Sequence, residues 1–246
     1  VFRFQPWGDG RYSPEDVVGE TGVEWLSRTL PAVTGSEALI DLVGVSVRAG
    51  AVQILRDVSL VVPPGETLGV FGANGAGKTT LLRLLATLQP IASGAGTVLG
   101  ADLTSDDRYD IRPRVAYVGH VPGLYPELTL AENLDFAADA RGIGHEEAVR
   151  ALAAVGLAGA STRLAERCSH GMQRRAEFAR VLLSSPDLLL LDEPHSALDK
   201  DAVELVDAIV ERTVAGGGAA VLVSHDRERV ASLSDRTVDI DGGTLT

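Results

Sequence analysis

The stretch Gly72-Ala73-Asn74-Gly75-Ala76-Gly77-Lys78-Thr79-Thr80 constrains the fold more than any other part of the chain. It follows the apolar run Leu68-Gly69-Val70-Phe71 and precedes Leu81-Leu82-Arg83-Leu84-Leu85, so the local order reads strand, glycine-rich turn, helix. In such a turn the glycines let backbone N–H groups converge on a polyphosphate where side chains would collide. The helix start adds its unpaired N–H groups and positive dipole end. The pattern assigns Gly72, Asn74, Gly75, Ala76, Gly77, Lys78, Thr79 and Thr80 to a phosphate cradle. Lys78 would reach the β/γ-phosphates, and the Thr79 hydroxyl would ligate Mg²⁺. Only two of the 22 basic residues are lysines, Lys78 and Lys200. A chain that otherwise prefers arginine places a compact point charge where a terminal phosphate suits it.

The bulk properties bound the rest. With 246 residues, 45% of them hydrophobic and 23% charged, the chain suits one large globular domain with an appendage. The single cysteine, Cys168, rules out an intramolecular disulfide or a multi-cysteine metal site. A formal net charge of −12 argues against nucleic acid as a partner. No apolar run approaches the ~20 residues of a membrane span, and residues 1–20 lack a signal-peptide layout. The expected location is cytoplasmic, and any membrane spans must come from another polypeptide. Residues 1–37, with both tryptophans and three prolines, differ from the remainder. They read as an extension of unknown role, a loosely packed segment or a docking arm.

From Ala38 onward strands and helices alternate. Ala38–Val45, Val52–Leu55 and Val58–Val62 read as strands, and the helix after the glycine-rich turn is expected to reach about Leu88. Gly94–Leu99 and Val115–Val118 read as further strands. Residues 128–166 are helical, opened by a capping box over Thr129–Glu132. Helices follow at Gly171–Ser184 and Asp201–Val214, with strands at Leu188–Leu191 and Ala219–Val223. Thr237–Thr246 reads as a hairpin centred on Asp241-Gly242.

The second decisive motif is Leu188-Leu189-Leu190-Leu191-Asp192-Glu193-Pro194. A fully apolar strand is one buried on both faces of a parallel sheet, and ligands in such sheets sit beyond the strand's carboxyl end. Asp192 would hold Mg²⁺ there, and Glu193 would act as general base toward a water. This places the two carboxylates beside the phosphate cradle if their strands are neighbours.

Further segments occur in a fixed order: Cys168-Ser169-His170-Gly171-Met172 before the leucine strand, Ser196-Ala197-Leu198-Asp199 after it, then Ser224-His225-Asp226 behind a strand. Together with the two phosphate motifs, this set resembles the ATP-binding-cassette (ABC) ATPases over residues 38–246. The resemblance implies an α/β P-loop NTPase fold with a mainly parallel core sheet, an N-terminal antiparallel β part and an inserted helical subdomain over about 127–166. It implies ATP and Mg²⁺ as cofactors, and a head-to-tail dimer with a second copy or a homologous ATPase. Ser169 and Gly171 would contact the γ-phosphate of ATP held by the other subunit, and Asp199 would communicate across the dimer. His225 would hold the γ-phosphate in cis, so that Glu193, His225 and Lys78 form the catalytic set. A membrane-spanning permease would be the further partner, which puts the chain at the inner face of the cell membrane.

Three departures from the family pattern stand out. His170 and Met172 replace a glycine and the glutamine of the usual Leu-Ser-Gly-Gly-Gln signature. His120 stands at the position of a usual glutamine. No aromatic lies between Trp25 and Phe71 to stack on adenine, so GTP stays open as an alternative nucleotide. The segment from Gly119 to Leu134 is similar to the ATP-binding subunit of the haem exporters of cytochrome c biogenesis. That similarity implies haem export or delivery as the function. A general exporter of drugs, lipids or glycans is the alternative, and a non-transport ABC ATPase a more distant one.

Overall fold

The computed structural model describes residues 38–196 and 198–246; the extension over 1–37 lies outside the described residues. In chain order the elements are β1 (Ile40–Ala49), β2 (Val52–Val62), β3 (Thr67–Phe71), α1 (Lys78–Leu85), β4 (Ser93–Val98), β5 (Ala101–Asp102) and β6 (Val115–Val118). Then come α2 (Leu130–Asp139), α3 (His145–Ala154), α4 (His170–Ser184), β7 (Leu188–Asp192), α5 (Lys200–Ala215), β8 (Ala219–Val223), α6 (Arg227–Leu233), β9 (Arg236–Asp241) and β10 (Thr244–Leu245). Two compact units result: a larger one of 38–120, Ser185–Ser196 and Asp207–Thr246, and a smaller one of Val121–Ser184 and 198–206.

The larger unit contains two sheets. An antiparallel sheet has the order β2-β1-β4-β5, and a six-stranded sheet has the order β10-β9-β3-β8-β7-β6. In the latter every pairing except that of β10 is parallel. Strand burial follows composition: all residues of β3, β7 and β8 are buried, as expected of apolar runs at the centre of a parallel sheet. α1 buries Leu81, Leu82, Leu84 and Leu85 and packs on β7 and β8. These side chains share one core with Leu188, Leu190, Val221 and Val223.

The sequence expectations shift at several places, beginning with β1, which runs over Ile40–Ala49 rather than Ala38–Val45. The two strands expected over 52–62 are one, because β2 passes its polar residues through a bulge. Arg56 and Asp57, between Leu55 and Val58, face the single residue Ser46 between Val45 and Val47, and Asp57 takes φ 49°. α1 ends at Leu85 rather than Leu88. Thr87 adopts φ 60°, and the N–H groups of Thr87 and Leu88 donate to the carbonyls of Leu84 and Arg83, which closes the helix end. The terminal hairpin turns on Gly242-Gly243, with φ 53° and 88°, because both central residues of this tight turn need positive φ. α6 was not anticipated: Arg227-Glu228-Arg229 hides a short helix capped by Asp226, whose side chain accepts from the Arg229 N–H.

The smaller unit packs α2, α3 and α4 against one another. Leu130, Leu134 and Ala138, four residues apart, form the buried stripe of α2. The capping box is present: Thr129 Oγ1 accepts from the Glu132 N–H at 3.1 Å, and Glu132 Oε2 accepts from the Thr129 N–H at 2.8 Å. The buried Asn133 side chain accepts from the Tyr125 N–H at 2.8 Å and donates to the Tyr125 carbonyl at 3.0 Å, fixing the loop that enters α2. No helix of the described residues is long and apolar enough to cross a membrane.

Candidate nucleotide site

The glycine-rich turn leaves β3 with φ of 149° at Gly72, 79° at Gly75 and 114° at Gly77. A Cβ on Gly72 would lie 2.3 Å from the Ile240 carbonyl oxygen, so the chain can pass β9 only as glycine. The turn delivers Lys78 to the first position of α1. Its ammonium donates to the carbonyls of Gly72 at 2.7 Å and Ala73 at 2.9 Å. The lysine charge is thereby anchored to the turn itself.

β3 and β7 are not neighbours, since β8 lies between them. The expected meeting of cradle and carboxylates occurs nonetheless, through α1. That helix packs on both β8 and β7, and its second residue, Thr79, donates its hydroxyl to Asp192 Oδ2 at 2.7 Å. Asp192, buried at the carboxyl end of β7, pairs in register with Val223 of β8.

Glu193 follows immediately, in the left-handed region at φ 52°, a conformation uncommon outside glycine. Its N–H donates to the Val223 carbonyl at 2.8 Å, which turns the side chain across the end of β8. There Oε2 accepts from the Ser224 hydroxyl at 2.9 Å and from the His225 N–H at 3.3 Å, and His225 Nε2 lies 3.3 Å from Oε1. One strand end thus carries the carboxylate and the next carries the groups that orient it.

An open cleft of about 590 Å³ collects these groups. Its walls include Asn74, Gly75, Gly77, Lys78, Thr79, Thr80, His120, Asp192, Glu193 and His225. The volume falls within the ordinary range of small-molecule sites. Two assigned cradle residues stand behind the lining: Gly72 offers its carbonyl to Lys78, and Ala76 is buried in the core. Three relevant residues carry no assigned role in the sequence reading. Ile54 and Ser196 line the cleft, and Ser224 holds the Glu193 carboxylate. Ser224 was within reach, since it adjoins His225; Ile54 carries no local signal. As no aromatic stands between Trp25 and Phe71, the aliphatic Ile54 of β2 supplies an apolar wall.

Ser169, Gly171 and Asp199 belong to the smaller unit. Ser169 Oγ accepts from the Met172 N–H at 3.2 Å at the start of α4, and Gly171 stands in that first turn. Asp199 is exposed; its Oδ1 accepts from the Arg175 guanidinium at 2.5 Å and from the Ala202 N–H at 3.0 Å. The Arg175 bond, followed by the backbone one, lowers the Asp199 pKa below the usual carboxylate value. In the same unit Glu177 Oε1 accepts from the Gly123 N–H at 2.7 Å, and Oε2 accepts from the buried Arg174 at 3.3 Å. Burial raises the Glu177 pKa despite these partners.

Among the described residues no group of three or more His, Cys, Asp or Glu side chains could hold a metal. The hydroxyl and carboxylate pair is a different kind of donor set, and it fits Mg²⁺. That ion takes few protein ligands and completes its octahedron with phosphates and water. Adjacent corners of such an octahedron are about 2.9 Å apart for metal–oxygen bonds of 2.0–2.1 Å, close to the 2.7 Å between Thr79 Oγ1 and Asp192 Oδ2.

Comparisons with known proteins bear on the family of the chain. A family model described as "ABC transporter" matches residues 55–196. A cytochrome c biogenesis ATP-binding export protein, CcmA 2 of Cupriavidus metallidurans, is 37% identical over 199 residues, covering 78% of this chain and 92% of its own. An aliphatic sulfonates import ATP-binding protein, SsuB 2 of Burkholderia cenocepacia, is 39% identical over 186 residues, covering 75% of this chain and 67% of its own. Among solved structures, an ATP-binding subunit of an ABC transporter superposes with a TM-score of 0.77 at 29% identity, covering 84% of this chain and 88% of that one. A dimeric ATP-binding cassette, MJ0796, in a post-hydrolysis state with ADP and Pi superposes at 0.76 and 25% identity, covering 84% and 96%. The chain belongs to the ABC transporter family, as one of its ATP-binding, ATP-hydrolysing cassettes.

Proposed function

We propose that this cassette hydrolyses ATP·Mg²⁺ in its cleft to drive haem export or delivery for cytochrome c maturation. The observation that carries the hydrolytic part is the joint placement of Thr79, Asp192, Glu193 and His225 beside the carboxyl ends of β7 and β8. Lys78 commits two of its three donors to the turn, and the third serves a terminal phosphate. Thr79 and Asp192 would hold Mg²⁺, whose charge stabilises the phosphates. Glu193 accepts the proton of the attacking water, while Ser224 and His225 keep its carboxylate turned toward the cleft. His120, in the same cleft, hydrogen-bonds near the reacting phosphate or its water.

Closure of a head-to-tail dimer supplies the remaining contacts. Ser169 and the Gly171 backbone of one subunit would meet the γ-phosphate held by the other, and Asp199 would relay between the two. The dimeric cassettes among the similar structures support this arrangement. A permease provides the membrane spans, so the chain works as a peripheral subunit at the inner face of the membrane. On the smaller unit, Val121, Tyr125 and Phe136 are exposed, and the last two rings meet edge to face at 5.2 Å. This apolar surface beside His120 in sequence is suited to a helix of the membrane partner.

The haem assignment is supported by the relatives from cytochrome c biogenesis, one of them 42% identical over 165 residues. Part of the segment 119–134 has a local structural use, since Thr129, Glu132 and Asn133 build the entry to α2. A second cargo reading therefore stands beside it. The 39% identity to sulfonate-import cassettes favours a different permease and cargo. Deleting the gene and staining for covalently bound haem distinguishes the two. Loss of holo-cytochromes c supports haem delivery; normal cytochromes with impaired growth on alkanesulfonates supports the other reading.

A further inference from the structure

One residue beyond Pro194 stands His195, whose side chain is only 8% exposed. No part of the chemistry above uses it. Its Nε2 lies 2.9 Å from Asp207 Oδ1 on α5. The second Asp207 oxygen accepts from the Arg229 guanidinium on α6. The Arg229 N–H donates at 3.1 Å to Asp226 Oδ1, the carboxylate that caps α6 and directly follows His225. His225 returns to Glu193 through its N–H and its ring. The contacts close a ring that runs from Glu193 through Pro194, His195, Asp207, Arg229, Asp226 and His225 back to Glu193.

The cost of the arrangement points to a role. His195 Nδ1 is buried and has no hydrogen-bond partner among the described residues, and leaving a buried polar atom unanswered is unfavourable. Burial favours the neutral imidazole, whose single donor then goes from Nε2 to Asp207. An aliphatic residue of similar size would fill the space without that cost. What it would lose is the directional link to Asp207, and through it to the helix behind His225.

We propose that His195 is a positioning residue for ATP hydrolysis. Through Asp207 and Arg229 it fixes the start of α6, and hence His225, relative to the turn that carries Glu193. The need for such a link follows from Glu193 itself, which holds a left-handed backbone conformation that surrounding contacts must maintain. This inference rests on Glu193 and His225 acting together, and its test can fail while that reading stands.

The test compares steady-state ATPase kinetics of the full chain carrying His195→Ala, His195→Gln and Asp207→Ala. A displaced catalytic group lowers turnover rather than substrate binding. His195→Ala should lower kcat about tenfold or more, with the ATP KM within about twofold of wild type. His195→Gln should recover much of this, since its amide N–H stands where Nε2 stood. The double variant His195→Ala/Asp207→Ala should be no slower than the slower single one, because both cut the same link. A His195→Ala kcat equal to wild type would overturn the proposal. So would equal losses in the Ala and Gln variants, or independent, multiplying losses in the double variant. If Glu193→Gln hydrolyses ATP normally, it is the assignment of the base that fails instead.

Discussion

Thr79 Oγ1 donates to Asp192 Oδ2 at 2.7 Å although their motifs lie 113 residues apart and an intervening strand separates β3 from β7. The helix that starts at Lys78 makes the connection by crossing under β8 to β7. The pair joins a hydroxyl and a carboxylate that would hold Mg²⁺. Thr79→Ala should raise the Mg²⁺ concentration for half-maximal ATPase by about tenfold, the scale on which losing one partner of a metal site acts. Thr79→Ser should stay near wild type. A Mg²⁺ titration of activity for both variants checks this.

Gly72 is a steric requirement of the site. With φ 149° and a Cβ position 2.3 Å from the Ile240 carbonyl, Gly72→Ala must shift either the turn or β9. The expected loss is about 2 kcal/mol or more, read as a lower urea midpoint at unchanged slope. Nucleotide affinity should fall with it, since the Gly72 carbonyl also holds Lys78.

Glu177 offers a comparison between charge and hydrogen bonding. Glu177→Ala removes a carboxylate from the buried Arg174 and an acceptor from the Gly123 N–H. It should destabilise the protein by about 3 kcal/mol. Glu177→Gln keeps an acceptor for Gly123 and carries no carboxylate charge to bury, the cost that raises the Glu177 pKa. Its cost should be less than half as large, measured by denaturant unfolding at neutral pH.

His195 predicts a pH dependence of stability. Burial lowers its pKa; Asp207 and Asp226 oppose this, and Arg229 adds to it. A histidine whose folded pKa is lowered takes up its proton more readily when unfolded. Its contribution is therefore complete above the ordinary value of about 6.5 and is lost as pH falls through the lower folded value. Unfolding at pH 7.5 and pH 5 should show wild type losing more stability on acidification than His195→Gln.

The parts of the site written in consecutive residues were legible in the sequence. The glycine-rich turn, Lys78, Thr79, Asp192 and Glu193 each sit in a motif whose strand or helix context is local. The capping box at Thr129 and Glu132 could be read for the same reason. What escaped depends on distant partners. The insertion of β8 between β3 and β7 is a non-local pairing that no periodicity encodes. Ile54 reaches the cleft only because β2 runs past the turn, and α6 lies within a charged stretch too short for a clear period. Asp199 shows the same limit, since its Arg175 partner stands 24 residues earlier, on α4.

The most direct measurement pairs ATP binding with turnover in Glu193→Gln. The substitution keeps the size and hydrogen-bonding shape of the side chain but removes the proton acceptor. ATP affinity should remain close to wild type while kcat falls about 10²–10⁴-fold, the range attributed to a positioned general base. Turnover at the wild-type rate would contradict the account.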